Sequence, residues 1–171
     1  MSGDKRFYGV YRATVTDNDD PLKIGRIQVI VPDVSNVIPT SWAMPCVPIA
    51  GKQMGIFVVP QVGAGVWVQF EQGDPDFPVW TGGFWGSAAE APAAAASGAA
   101  GDPNIVIQSA LGHAIVVSDL AGPTGGIMLR STGGATILVN DTGIFIKTGK
   151  GASVVLTDAT VTINDGALAV S

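Results

Sequence analysis

From residue 104 onward, apolar side chains occupy every second position of short runs that are separated by turn residues. Ile105, Ile127, Ile144 and Val161 each begin such a run, at intervals of 22, 17 and 17 residues. Alternation with a period of two is typical of β-strands that bury one face. The first three repeats hold two predicted strands each, and the last repeat holds one. The pattern therefore predicts a stack of about seven short strands over residues 104–171, on the order of 34 Å long.

One set of alternate positions in this region is apolar throughout. The fourteen positions that we predict to face a shared core are Ile105, Ile107, Ile115, Val117, Ile127, Leu129, Ile137, Val139, Ile144, Ile146, Val154, Leu156, Val161 and Ile163. A single layer of short strands cannot bury such a face alone, so it needs either a stacked solenoid or further copies of the chain. Three chains around one axis bury it better than a small solenoid does. The sequence therefore predicts a homotrimer.

The first half of the chain, residues 6–86, predicts a different β-structure. Apolar runs rich in valine and isoleucine are separated by glycine, proline and aspartate turns. The predicted strands are 8–16, 25–31, 42–45, 55–59, 66–71 and 79–84. Five or six short strands in about 80 residues favour a small closed barrel. The fold class is therefore all-β, with a barrel followed by the strand stack.

Between these regions lies an alanine- and glycine-rich segment, residues 87–103. Alanine favours helix, but Pro92, Gly98 and Gly101 interrupt the run. We predict a linker, with a short helix as the alternative.

Charge and chemistry exclude several functions. Charged residues make up 13% of the chain, and the net charge is −5 without a cluster of Lys and Arg, so specific nucleic-acid binding is not expected. The acidic residues lie mostly at turns, so no catalytic site is expected. The single histidine, His113, and the single cysteine, Cys46, favour neither a metal site nor a cofactor. Cys46 is expected to be a small buried residue. We predict that the protein is not an enzyme.

Several motifs resemble those of one family of proteins. Segment 25–32 (GRIQVIVP) is similar to the second barrel strand of the phage baseplate assembly protein V family and of VgrG spikes, and 42–46 resembles their tryptophan-proline segment. Segment 55–79 resembles their signature, in which Pro-x-Val-Gly and Gly-Asp-Pro follow successive strands. Segments 82–86 and 112–119 resemble the end of the barrel and the opening of the spike helix.

The resemblance implies an N-terminal OB-fold-like barrel followed by an intertwined triple-stranded β-helix. It implies a structural central spike of a contractile tail or injection machine, which docks on a baseplate hub and punctures the target envelope on contraction. Its location would be the tail baseplate of a virion or an assembled injection particle. The N-terminus has no apolar signal core, so we expect synthesis in the cytoplasm without a signal peptide.

Differences from the family indicate further partners. VgrG proteins carry a hub ahead of the barrel, whereas here the barrel starts near residue 6, so we expect a separate hub protein. Some phage spikes end in a His-x-His iron site, which is absent here because His113 is the only histidine. The chain stops at Ser171 without a pointed tip, so we expect a PAAR-type tip protein at the C-terminal end.

Two other functions are compatible with an all-β chain of this kind. The first is a nucleic-acid-binding OB-fold protein, in which tryptophans would stack on bases rather than pack in the core. The tryptophans concerned are Trp42, Trp67, Trp80 and Trp85. The second is a tail-associated depolymerase, which would require paired carboxylates facing a groove between chains.

Overall fold

The computed structural model describes residues 5–170 and divides the chain into two compact units. One unit ends at Ala88 and the other begins at Ala89.

Short strands form the first unit. They are β1 (Tyr11–Asp17), β2 (Gln28–Ile30), β3 (Met44–Pro45), β4 (Ala50–Gly51), β5 (Met54–Gly55), β6 (Gly65–Phe70) and β7 (Pro78–Phe84). Five of them form a sheet in the order β2-β1-β6-β7-β3, in which only the β3–β7 pair is parallel. A bridge between Ile27 and Ala43 joins the two ends of this sheet, with N–O distances of 3.2 and 2.8 Å. The result is a closed five-stranded barrel of the OB type, and the predicted barrel is confirmed.

The barrel has its own core, which follows from alternation along its strands. The residues that form it are Ala13, Val15, Ile27, Val29, Val31, Ala43, Val66, Val68, Phe70 and Trp80. The Trp80 indole N–H donates to the Gly25 carbonyl at 3.1 Å, so the one polar group of this buried ring is satisfied.

Two local features of the barrel differ from the sequence prediction. The stretch between predicted strands 25–31 and 42–45, where only a turn was expected, begins with helix α1 (Pro32–Ser35), because proline suits the first position of a helix. The apolar run 55–59, predicted as a strand, contributes only Gly55 to a strand, in the small β4–β5 hairpin. The rest of that run lies outside the described strands, although the Ile56 N–H donates to the Ile49 carbonyl at 3.2 Å beside the hairpin.

The second unit is a single antiparallel sheet in which strands follow one another in chain order. Its strands are β8 (Ile105–Gln108), β9 (Ala114–Ser118), β10 (Gly126–Arg130), β11 (Thr136–Asn140), β12 (Gly143–Lys147), β13 (Ser153–Thr157), β14 (Thr160–Ile163) and β15 (Leu168–Val170). Short 3₁₀ helices lie at Ala93–Ser97, Gly122–Thr124 and Asn164–Gly166. Every neighbouring pair forms within the chain, so the backbone ladder is continuous from β8 to β15.

The prediction of a single strand in the last repeat is wrong. After β14, a tight turn through Asn164 and Asp165 reverses the chain into β15, which pairs with β14. Both turn residues adopt positive φ, 49° and 53°, a conformation that asparagine and aspartate tolerate better than most residues. Eight strands rather than seven are therefore described, which gives a stack of about 38 Å at the usual strand spacing.

The alanine-rich segment that precedes the sheet contains the 3₁₀ helix Ala93–Ser97. Asn104 binds this helix twice: its side-chain amide donates to the Ala94 carbonyl at 2.8 Å, and its backbone N–H donates to the Ala95 carbonyl at 3.1 Å. These bonds attach the C-terminal part of the segment to the beginning of β8.

Candidate functional site

The fourteen apolar residues predicted to face a common core lie on one face of the C-terminal sheet, in two rows across the strands. The strand register places the first row at Ile105, Val117, Ile127, Val139, Ile144, Leu156 and Val161. It places the second row at Ile107, Ile115, Leu129, Ile137, Ile146, Val154 and Ile163. We call this two-row surface the apolar face. The second row continues to Leu168, a member that sequence reasoning missed together with β15.

Much of the apolar face is uncovered within a single chain. Ile105 is 68% exposed, and Ile137, in the middle of the sheet, is 42% exposed. The four residues on β13 and β14 are half-buried. A contiguous apolar surface of this kind is rare on monomeric soluble proteins and marks a binding or assembly surface.

The opposite face of the sheet has a different composition. One apolar row runs along its middle, through Val106, Val116, Met128, Leu138, Phe145 and Val155. Polar residues flank this row, for example Gln108, Arg130 and Lys147 near one side. Ala93 and Ala94 line a groove together with Val116 and Ser118, which are both buried. The sheet therefore has one face without polar rows and one face suited to partial contact with water.

In the barrel, Asp20 organises the loop between β1 and β2. It is 3% exposed, and its Oδ1 accepts hydrogen bonds from Nε and Nη2 of Arg26 at 2.9 and 2.6 Å. The backbone N–H groups of Leu22, Ile24 and Arg26 donate to the same carboxylate at 2.9 to 3.2 Å. The hydrogen bonds from the Arg26 side chain, assisted by these backbone donors, hold the pKa of Asp20 well below its usual range, against the opposing effect of burial.

The loops that bind nucleic acid in other OB barrels carry carboxylates here. The β1–β2 loop begins after Asp17 and includes Asp19 and Asp20, and the β6–β7 loop includes Asp74 and Asp76. OB barrels bind oligonucleotides through these two loops and the face between them. Three of these carboxylates form ion pairs, with Arg6, Lys23 and Arg26. These three cations are already neutralised, which disfavours the phosphate contacts that nucleic-acid binding requires.

The four tryptophans are distributed between core and surface. Trp80 is buried, Trp42 and Trp67 are half-buried, and Trp85 is largely exposed. The Arg12 guanidinium lies over the adjoining rings of Trp67 and Phe84, at 5.0 and 4.9 Å from their centroids. Of the four tryptophans, only Trp80 is packed fully in the barrel core.

The single cysteine differs from its prediction. Cys46 is exposed, not buried, although its backbone N–H still pairs with the Trp80 carbonyl of β7. Alternation along the chain places Cys46, like Met44, on the side opposite the buried Ala43.

Within residues 5–170, no group of three or more histidine, cysteine, aspartate or glutamate side chains is arranged to hold a metal ion. His113 is exposed, and its backbone N–H binds the Ser109 hydroxyl at 3.2 Å in the turn that precedes β9. Over the same described range, none of the helices has the length and apolar character required to cross a membrane.

Sequence reasoning also missed a surface on the barrel. Exposed apolar side chains occur along the β4–β5 hairpin and the extended segment after it, at Ile49, Met54, Ile56, Phe57, Val58 and Val62. We call this surface the apolar band. The band includes part of the run 55–59, which the sequence predicted as a strand because an apolar run of this kind is usually buried in a barrel wall.

Comparison with known protein families identifies both units. Residues 11–85 match the type VI secretion system/phage-baseplate injector OB domain, and residues 104–169 match the phage baseplate V C-terminal trimerisation domain. No curated protein matches the chain. The first match agrees with the closed OB barrel, and the second agrees with a sheet whose apolar face is open within one chain. The chain belongs to the phage baseplate V/VgrG-like family.

Proposed function

We propose that the chain is the homotrimeric central spike of a contractile tail or injection machine and that it punctures the target envelope on contraction. Membership of the family makes it a structural baseplate protein of a phage or a type VI secretion system that forms a homo-oligomer. The finer role rests on one observation, the apolar face of the C-terminal sheet, which a single chain leaves largely exposed.

The trimer core in this proposal consists of the fourteen residues of the apolar face. Three such sheets, each with this face towards a common axis, would bury both rows from three sides. Because β-sheets twist, the three sheets would wind around the axis and form the intertwined triple-stranded β-helix. Burial contributes about 25 cal/mol per Å² of apolar surface, so the exposed face is the main source of association energy.

Mechanical stiffness follows from the hydrogen-bonded ladder. Every strand from β8 to β14 pairs with the next strand, so a load along the stack acts on consecutive rows of backbone hydrogen bonds. A column of this kind transmits force and requires no covalent chemistry. The structural parts that we propose are a barrel at 6–86, a linker at 87–103 and a spike at 104–171.

Two partners complete the proposed assembly. A separate baseplate hub would dock on the barrel, as the family resemblance implies. A PAAR-type tip protein would cover the C-terminal end of the stack, where β15 is the last strand of the sheet and has one neighbour among the described strands.

The test is complementation of particles that lack this chain. Wild type, Ile137→Asp and Leu138→Asp are compared by electron microscopy of the assembled tails and by release of a periplasmic enzyme from target cells. We expect Ile137→Asp to yield neither intact baseplates nor enzyme release, and Leu138→Asp to support both. Functional particles assembled with a non-trimeric Ile137→Asp protein would refute the spike role.

A further inference from the structure

The apolar band of the barrel is an exposed surface that the trimer of C-terminal sheets does not explain. Phe57 is 70% exposed and Met54 is 60% exposed, and Ile49, Ile56 and Val58 are exposed between and beside them. The band borders a groove of about 750 Å³, which is also lined by Met44 and, on the side of the β1–β2 loop, by Lys23 and Ile24. Large apolar side chains that are contiguous at a surface mark a contact with another molecule.

The chain around the band is almost free of charge. Between Asp33 and Glu71, Lys52 is the only charged residue, whereas residues 4–33 carry ten. Depletion of charged residues is typical of the centre of a protein–protein interface. Burial in the barrel core does not explain this shortage of charged residues, because much of the segment 47–62 is exposed.

Symmetry indicates which molecule covers the band. In a trimer with threefold symmetry, a residue near the axis meets its own two copies. A charge at such a position is repelled by the identical charges, so a near-axis surface must be neutral, whereas a surface for a different protein can pair its charges with opposite ones. The residues of the band are all uncharged, and the lysines near it are Lys52 in the hairpin and Lys23 in the adjoining groove. The band itself is therefore better suited to copies of itself than to a hetero-partner.

The trimerisation domain also supplies the necessary local concentration. It holds three chains together, and each barrel is joined to it by a short segment. Tethering of this kind makes contact between the barrels effectively intramolecular, at local concentrations of about millimolar. At such a local concentration, even a contact that buries a small apolar area is expected to form.

We propose that the three barrels of one trimer pack against one another through the apolar band, which forms a second threefold contact. This inference rests on the proposed trimer. The hub then binds a preformed ring of barrels rather than three independent ones, and the band is not its docking surface.

Cys46 provides a reporter for this contact. It is the only cysteine, it is exposed, and its backbone N–H is fixed to the Trp80 carbonyl at 2.9 Å. A nitroxide spin label on Cys46 of the full chain allows the distances between barrels to be measured by pulsed electron paramagnetic resonance. Native mass spectrometry of the same labelled sample first establishes whether it is trimeric.

For the wild-type trimer we expect one narrow distance distribution. Phe57→Asp should keep the trimer mass but broaden the distribution, because three carboxylates would then meet near the axis. Met54→Asp should act in the same way, which guards against a local misfolding effect of one variant. The matched control is Phe77→Asp, since Phe77 is 60% exposed in the β6–β7 loop, outside the band, and this variant should keep the narrow distribution.

Three results overturn the inference while leaving the proposed function intact. They are a trimer with a broad wild-type distribution, a trimer whose distribution narrows only when hub protein is added, and a trimer whose distribution is unchanged by both Phe57→Asp and Met54→Asp. A monomeric mass for the wild-type protein would instead refute the proposed function and the inference with it.

Discussion

The barrel and the C-terminal sheet are built from similar alternating sequences, yet they bury their apolar residues in different ways. In the barrel, a bridge between Ile27 and Ala43 joins the two ends of the sheet, and Ile27, Val29 and Val66 are completely buried in one chain. The C-terminal sheet stays open, and Ile137 at its centre remains 42% exposed. Alternation therefore determines which residues share a face, while closure determines whether one chain can bury that face.

The difference predicts two kinds of stability. The barrel core is complete within one chain, so the stability that comes from this core should not depend on protein concentration, whereas the proposed contact through the apolar band would add a smaller part that does. In the proposed trimer the C-terminal sheet acquires its core only on association, so its stability should rise with concentration.

The largest effect is expected from a charge on the apolar face. Ile137→Asp would place three carboxylates together in an apolar core, where an unpaired charge is very costly and like charges repel. We expect the trimer to be lost, as measured by light scattering. Leu138→Asp, on the opposite face of the same strand, should leave the trimer intact. A stronger effect of Leu138→Asp would mean that the other face points inward.

A cavity in the barrel core should lower the stability of the barrel without affecting association of the chains. Ile27→Ala removes a fully buried side chain and should lower the free energy of barrel unfolding by about 2–5 kcal/mol. Because this core belongs to one chain, the loss should be the same at low and high protein concentration, and the trimer mass should persist. Denaturant unfolding followed by tryptophan fluorescence measures it, since all four tryptophans lie in the barrel unit. A loss of stability that varies with concentration would contradict an autonomous barrel.

A smaller effect concerns pH and Asp20. Because the pKa of this carboxyl is lowered in the folded barrel, its contribution to stability is present above the ordinary aspartate pKa of about 4 and is lost as the pH falls below it. Asp20→Asn should destabilise the barrel at pH 7, since Arg26 loses its charged partner in a largely buried position. The difference in unfolding midpoint between wild type and Asp20→Asn should shrink from pH 5 towards pH 3. A constant difference over this range would show that the ion pair does not stabilise the fold.

The smallest effect is expected in the alanine-rich segment 87–103, most of which belongs to the second unit. Asn104→Ala removes the hydrogen bond from the side-chain amide to the Ala94 carbonyl. We expect faster cleavage within residues 87–103 by elastase, which prefers small residues, with no change in trimer mass. Asn164→Ala, at the far end of the sheet, is the control and should not change the rate at this segment. Equal cleavage of wild type and Asn104→Ala would mean that this bond does not hold the segment.

The sequence predicted which residues of the C-terminal sheet share one face, because a period of two fixes the side of the strand on which each side chain lies. All fourteen predicted residues lie in two rows for this reason. The sequence prediction missed β15, because this strand depends on a single turn in which Asn164 and Asp165 adopt positive φ. It also failed at 55–59, since the composition of an apolar run does not reveal whether that run lies in a wall or on a surface.

The exposed Cys46 teaches the same lesson. A small apolar residue beside a strand is usually buried, but Cys46, like Met44, lies on the side of the chain opposite the buried Ala43. The residue type alone therefore did not reveal which face of the wall this position occupies.

The central claim is that the apolar face is the core of a homotrimer, and the most direct test is the mass of the full chain in dilute solution. Light scattering at micromolar concentration should give three times the chain mass of 17.4 kDa for the wild type and for Leu138→Asp. Ile137→Asp should give the mass of a single chain. A monomeric wild type, or an Ile137→Asp protein that remains a stable trimer, would contradict the account.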